Sequence, residues 1–393
     1  MKHVYGGILL IIVTASFAPA QVSTPSASVA VNCNNGQSLN RVLTRLDKHA
    51  ATTVLVSGTC AEFVQVMGFE NLTLRGLRGA SITEPSAGGS NSSGNVLFIG
   101  SSRSVTVSGF NIQAAGTNTV STVGVGHGSS DVRLLNLHVQ GGSAGIAIFE
   151  NSQVLLSHVI GENAGYAALA IFDSSDAHVE HCLFQDTTGT SWHSGILLGA
   201  AHITMFDDTI RNMQVGIFAG QSSIVDTVAY TSYTPAGGPT DVLIDSPSGN
   251  TYNGVQLSSG SSLNLSSARL VINQTGQSWG GTTGGILVSD GSTLEAQSGA
   301  LAINGSYGQG IVVENNSHAT LSGGSITGSG HGGLVVVNAS TADVNPAGGL
   351  ALIGGNGVDL FCDSGSKITG SANLSGVPTS QCANVLAAEA TLP

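Results

Sequence analysis

The sequence predicts an all-β solenoid, a chain wound into stacked coils, and three observations carry that prediction. The first is repetition. Gly145-Ile-Ala-Ile-Phe-Glu-Asn-Ser-Gln-Val-Leu-Leu-Ser-His-Val159 is followed by Leu169-Ala-Ile-Phe-Asp-Ser-Ser-Asp-Ala-His-Val-Glu-His-Cys182, and the opening phrase returns at Gly195, Gly216, Gly254, Gly285, Gly310 and Gly333. The copies lie between 21 residues (Gly195 to Gly216) and 38 residues (Gly216 to Gly254) apart, a period typical of units that bury their apolar face only by stacking. The second is that apolar residues alternate over only a few positions within each copy, which reads as short strands. The third is composition. Charged residues make up 9% of the chain, hydrophobic residues 41%, and 55 of 393 residues are glycine. Stacked strands with Gly-, Asn- and Ser-rich turns account for that balance.

The elements follow in order. Residues 1–20 read as a secretory leader: Lys2 and His3 precede an apolar run at 8–13, and Ala18-Pro19-Ala20 is a small-residue cleavage site. Cleavage after Ala20 would send the protein to the periplasm or outside the cell. No other stretch approaches the roughly 20 apolar residues of a membrane span. Residues 21–52 read as a polar leader and an N-terminal amphipathic capping helix over 38–49. There Leu39, Val42, Leu43 and Leu46 fall at i, i+3, i+4 and i+7 behind Ser38 as N-cap. Such a helix would cover the open end of the solenoid, where unpaired strand edges invite polymerisation.

Residues 53–370 hold about twelve coils, a rod on the order of 55 Å at ~4.8 Å per coil. Residues 231–250, with Pro235, Pro239 and Pro247, read as a loop thrown out of one coil. Long turns precede Gly195 and Gly285 and share Thr188-Gly-Thr-Ser-Trp192 and Thr275-Gly-Gln-Ser-Trp279. Residues 371–393 form a C-terminal cap and tail. Of five cysteines, Cys33 and Cys60 flank the first element and Cys362 and Cys382 the last, so each pair is expected to form a disulfide at one end of the rod. Cys182 is left over as a small buried hydrophobe. The formal charge of −12, with only Arg269 and Lys367 basic beyond Arg211, excludes nucleic acid as a partner.

The repeat, Gly-[Ile/Val]-x-[Ile/Leu/Val], a polar turn, then Val-x-Leu-x-[Asn/His]-x-x-[Val/Phe/Ile], resembles that of the right-handed parallel β-helix. Over most of its length the chain is similar to the pectin-lyase-like superfamily. Val56-Ser-Gly-Thr-Cys60-Ala-Glu62 and Leu72-Thr-Leu-Arg-Gly76 also resemble the opening of secreted bacterial β-helix proteins in a branch without an assigned activity. That resemblance implies the fold. It leaves the chemistry open, because one fold hosts many functions.

Aligning the coils stacks side chains into columns. One reads Gly109, Asn136, His158, His181, Asp207; its neighbour reads Phe110, Leu137, Val159, Cys182, Asp208; a third reads Gln140, Glu162, Gln185, Arg211. His158 and His181 beside Asp207 and Asp208 are the candidate catalytic groups, an acid–base set suited to a glycosidic bond. In resembling proteins the first column instead forms a ladder of hydrogen-bonded polar side chains. A catalytic centre requires Asp207, Asp208 and His181 to meet in one open groove, whereas a binding rod ties them up internally. Asp186 and Asp207-Asp208 echo the acids of polygalacturonases in this superfamily, but the Gly-His-Gly motifs at 126–128 and 330–332 stand elsewhere and no Arg-Ile-Lys is present. Lyase chemistry on a polyuronate would fall to Arg211, with Arg133 the only other central cation.

Tyr166, Trp192, Trp279 and Tyr307 each precede the opening phrase of a coil, where rings could stack on sugars or close over their own coil. With Arg211 they form the candidate substrate-binding set. Gly354-Gly-Asn-Gly-Val-Asp359 fits one copy of a calcium-binding repeat, which alone leaves the ion's shell incomplete, so neither metal nor cofactor is expected. The expected function is contact with extracellular or cell-wall polysaccharide, by binding. The alternatives are a polysaccharide lyase or glycoside hydrolase working through a central Asp/His groove, and a structural surface rod or adhesin.

Overall fold

Each repeat phrase folds into three short strands that pair in parallel with their counterparts one coil away. Gln153–Ser157, Ile160–Glu162 and Ala167–Phe172 make one coil, and the next begins at Asp176–Glu180. Their registers place Gln153 on Asp176, Ile160 on Leu183 and Ala167 on Ser194. In this computed structural model the described residues are 27–85, 94–116, 119–188, 193–228, 241–246, 252–266, 268–275, 284–297, 300–344, 352–370 and 373–374. They form three parallel sheets, here A, B and C in the order the chain visits them, of 14, 13 and 12 strands. The twelve strands of sheet C span about eleven full turns, close to the twelve coils expected. The leader, Trp192, Trp279 and Cys382 lie outside the described residues.

Alternation explains the core. Val154 and Leu156, Ala177 and Val179, then Ile203 and Met205 point inward from sheet A, while sheets B and C add Phe184, Ile210, Ile171 and Ile196, all essentially inaccessible. The turn from A to B is a single left-handed residue, with φ of 74° at Gly109, 52° at Asn136, 55° at His158, 54° at His181 and 51° at Asp207. Short polar side chains tolerate that conformation better than bulky or β-branched ones. The turn from C to A uses two left-handed residues, such as Glu150-Asn151 and Asp173-Ser174. Just beyond it stands a buried serine column that the sequence reading overlooked. Ser129 Oγ accepts from the Ser102 amide, Ser175 Oγ from Ser152, and Ser223, Ser261 and Ser292 continue the series at 3.1–3.2 Å. These bonds satisfy amides that the tight turn removes from the sheet ladders.

The N-terminal capping helix is not borne out. Ser38 does act as an N-cap, accepting from the Arg41 amide at 3.2 Å, but the α-helix covers only Leu39–Leu43. The amides of Arg45 and Leu46 bond to Val42 and Leu43, three residues back, and Asp47 Oδ1 accepts from the His49 amide. The winding tightens, and a side chain then competes for the backbone, which ends the helix. The end of sheet A is occupied instead by a strand, Ala27–Asn32, paired with Thr52–Ser57. A short 3-10 turn at Cys33–Asn35 follows, held by the expected Cys33–Cys60 disulfide. Cys182 is buried and free, as anticipated; Cys362 is buried and disulfide-bonded, and its expected partner Cys382 lies outside the described residues. The stretch read as a loop over 231–250 also contains a sheet B strand, Val242–Asp245, lying between Thr209–Arg211 and Leu270–Asn273. Among the described residues no helix is long and apolar enough to cross a membrane.

Candidate functional site

The column of candidate catalytic residues exists, but its members do not share a groove. His158, His181 and Asp207 project from the left-handed turns at the A–B edge. The two imidazoles lie 4.9 Å apart between centroids, and His181 Nδ1 is 2.8 Å from Asp207 Oδ2. His158 Nδ1 is 2.9 Å from Ser157 Oγ. Asp208, next in sequence, points the opposite way. It is fully buried between Cys182 and Val242, accepting from the Cys182 amide at 2.8 Å and the Phe206 amide at 3.0 Å. Burial drives its pKa up to about 8 against the pull of those two amides, with smaller contributions from the charges of Asp207 and Glu180. Burial also pushes the Cys182 thiol up, making it a poor nucleophile. Arg211 faces outward from sheet B beside Asp245, at 3.6 Å. On the same face Glu162 takes His138 at 2.8 Å and Gln185 at 3.1 Å.

The outer face of sheet A carries titratable groups that the sequence columns did not single out. His202 Nδ1 is 3.0 Å from Asp176 Oδ1 and its Nε2 is 3.0 Å from Asp226 Oδ2, so the ring joins three consecutive coils. Two carboxylates at the two nitrogens require both nitrogens to donate, which makes the ring an imidazolium. The Asp176 bond, opposed by burial and aided by Asp226, raises its pKa to about 9. Around it stand Thr204 on its own strand, His178 and Glu180 on the preceding one, and Asn264, whose Nδ2 donates to Asp226 at 2.8 Å. A cavity of about 310 Å³ opens beside them, lined by Asp131, Gln153, Leu155, Asp176 and His178 among others. Because folding raises this pKa, the stabilisation is complete below about pH 6.5 and fades as pH approaches 9. Replacing His202 with Gln should cost about 1 kcal/mol at pH 6, the figure reduced for a ring one-third exposed, and nothing at pH 10. Urea unfolding at the two pH values measures the difference.

Sheet C is different again. Its inward residues, such as Ile146, Ile148, Leu169 and Ile171, belong to the core of the solenoid. Its outward residues form a second apolar cluster: Ala144, Ala147, Ala167, Ala170 and Leu197, with Phe149, Phe172 and Phe218 packed on them. Glycines explain how the rings lie. A Cβ on Gly126 would collide with the Phe149 ring, one on Gly100 would meet Phe98 at 2.7 Å, and one on Gly199 would meet Phe172 at 2.9 Å. Glycine thus clears places in which phenyl rings rest against the sheet. Phe98 and Phe149 run nearly parallel, 6.2 Å apart at 20°, with His127 edge-on to Phe98 and bonded to Glu150 at 2.5 Å. Tyr166 and Tyr307 stand on the adjoining B–C edge, 55% and 56% exposed. Five coils, or about 24 Å at ~4.8 Å each, separate them. Tyr252 shares the edge, in register with Tyr166 three coils earlier. A signal for this surface is present in Ile146-Ala-Ile-Phe149, where apolar residues run unbroken instead of alternating.

Among the described residues, one cluster has metal-ligand spacing: Cys33, Cys60 and Glu62. Its sulfurs are joined in the disulfide, and Glu62 accepts from Ser38 Oγ and the Leu39 and Asn40 amides, so its donors are engaged in holding the first helical turn. In the single calcium-type copy, Asp359 is buried and bonded to Asn356 Nδ2 at 3.0 Å.

Residues 81–229 match the family model described as a right-handed β-helix region. No curated protein matches the chain in sequence. Among solved structures, the catalytic domain of a GH87 α-1,3-glucanase in complex with nigerose aligns over 93% of this chain and 71% of its own, at 12% identity and a TM-score of 0.59. The catalytic unit of a GH87 α-1,3-glucanase from Streptomyces thermodiastaticus aligns over 95% and 70%, at 11% identity and a TM-score of 0.60. A PL6 alginate lyase in complex with a trisaccharide aligns over 94% and 90%, at 11% identity and a TM-score of 0.56. At these identities the likeness speaks for architecture. The chain adopts the right-handed parallel β-helix fold.

Proposed function

We propose that the protein is exported and holds an extended polysaccharide along the outer face of sheet C without cleaving it. One observation carries the reading: phenyl rings rest in glycine-cleared places on that face, bordered by the half-exposed tyrosines of the B–C edge. Sugar rings present apolar C–H faces and polar rims, and flat aromatic surfaces with polar margins suit them. Strands about 4.8 Å apart fix those surfaces in line, so little order is lost on binding. The disulfide fits an oxidising compartment, as does the leader read in residues 1–20. The similar folds include enzymes that act on polysaccharides, which agrees with this substrate class. Affinity electrophoresis against a panel of soluble polysaccharides should show retardation by at least one polymer, with no new reducing ends or unsaturated products. Failure to be retarded by any polymer would remove the proposal.

A second reading has its own observation. The exposed His181–Asp207 pair, at 2.8 Å, could move a proton in glycoside hydrolysis or elimination. In that case product would accumulate, and Asp207→Asn would stop it while leaving retardation intact.

A further inference from the structure

We infer that the polymer held on sheet C is uncharged, and that an acidic rail along the C–A edge enforces that choice. The inference rests on the proposed binding face and adds its selectivity. Among the described residues no lysine or arginine lies in any sheet C strand, from Val64–Met67 to Val358–Cys362. The central arginines are on other faces and beside acids: Arg133 with Asp131, Arg211 with Asp245 and Arg269 with Asp241.

Beyond the turn that holds Arg103, the border of sheet C has the opposite character. Glu150 directly follows Phe149, and Asp173 directly follows Phe172; Asp290, Glu314 and Asp363 occupy the corresponding turns of later coils. Left-handed backbone at Glu150, Asp173 and Asp290, with φ of 55–57°, sets the first two on successive turns of the edge and the third four coils beyond Asp173, past turns built on Ala200, Gln221 and Ser259. Carboxamides link part of the row, since Asn315 Nδ2 donates to Asp290 and Asn338 Nδ2 to Asn315, both at 3.2 Å. Burial, and then the charge of Asp290, raise the Glu314 pKa, which registers the like-charge field along the edge.

Carboxylates only accept hydrogen bonds, so they suit the hydroxyl groups of a neutral sugar and repel uronate or sulfate groups. The overall charge of −12 acts in the same direction. Repulsion of this kind is screened by salt, because the Debye length falls from ~30 Å at 0.01 M to ~3 Å at 1 M. A neutral polymer should therefore bind with little dependence on salt.

Affinity electrophoresis or titration calorimetry with neutral glucans and galactomannan, and with polygalacturonate and alginate, tests this at 10 mM and 500 mM sodium chloride. The expected result is at least tenfold tighter binding of the best neutral polymer at 10 mM, changing less than twofold with salt. Glu150→Gln with Asp173→Asn should narrow the gap at 10 mM by raising affinity for the polyanions. Tighter binding of a polyanion at low salt, weakened by added salt, would overturn the inference and leave the binding face in place. An unchanged gap in the double variant would overturn the rail's part in it. Binding of neither polymer class would remove the parent reading and the inference together.

Discussion

Replacing Phe149 and Phe172 together with alanine is expected to lower polysaccharide affinity about a hundredfold. Each ring covering one sugar face would remove some 55 Å² of apolar surface from water, or ~1.4 kcal/mol, which is about tenfold in affinity per ring. The two rings belong to the outer apolar cluster and not to the core of the solenoid, so the fold should survive their loss. A milder change makes the same point. Gly126→Ala keeps the Phe149 ring but places a methyl where that ring lies, and nothing in the backbone at Gly126 demands glycine. It should also weaken binding, by roughly the same tenfold as one lost ring. Calorimetric titration with the best polymer, alongside thermal melts of each variant, separates lost contact from lost structure. Unchanged affinity in the double variant would place the sugar elsewhere.

A second large effect concerns Asp208 and the pH dependence of stability. In the unfolded chain this carboxyl ionises near pH 4, whereas in the folded protein it keeps its proton until about pH 8. Between those values the unfolded state binds fewer protons, so stability should fall as pH rises from 4 to 8 and level off above. The loss should be on the order of several kcal/mol, since each pKa unit is worth ~1.4 kcal/mol. Asp208→Asn removes the titration, and with it that part of the slope. The His202 contribution declines in the same direction but over a higher window, roughly pH 6.5 to 9, so the two variants flatten different parts of the curve. Asp208→Val would match its column neighbours Val159 and Val242 in shape. It would leave the Cys182 and Phe206 amides buried without acceptors, at a cost of about 1–3 kcal/mol each. Urea unfolding from pH 4 to 9 provides the comparison, and an undiminished slope in Asp208→Asn would contradict the assignment.

The vertical relationships in this fold were legible from the chain, because a repeat of two dozen residues makes each position the neighbour of its copy. Gly109, Asn136, His158, His181 and Asp207 do stack, as do Phe110, Leu137, Val159, Cys182 and Asp208. The horizontal relationships were harder to read. A repeat alignment does not say which way around the coil a column faces, so Asp208 was grouped with Asp207 although one points inward and the other out. Tyr166 and His181 likewise lie on different edges. Residues 38–49 have helical spacing, but Asp47 and the tightened turn at Arg45 and Leu46 stop the helix after Leu43. Ala27–Asn32 is too short and too mixed in character to announce a strand until Thr52–Ser57 is beside it. Val242–Asp245 was masked by the prolines around it. The serine column was visible in principle, since a serine precedes most sheet A strands, but serine is common in turns and the regularity did not stand out. The proposed binding face was missed for a related reason. Unbroken apolar runs read as core, and only the pleat divides Ile146 and Ile148 from Ala147 and Phe149.

The most direct test of the account is to watch the rings themselves. With phenylalanine and tyrosine isotopically labelled, a neutral oligosaccharide should shift the resonances of Phe98, Phe149, Phe172, Phe218 and Tyr166, and leave those of the interior Phe110 and Phe184 unmoved. Shifts centred instead on His158 and His181, in a histidine-labelled sample with the sheet C rings silent, would put the sugar on the A–B edge and contradict it.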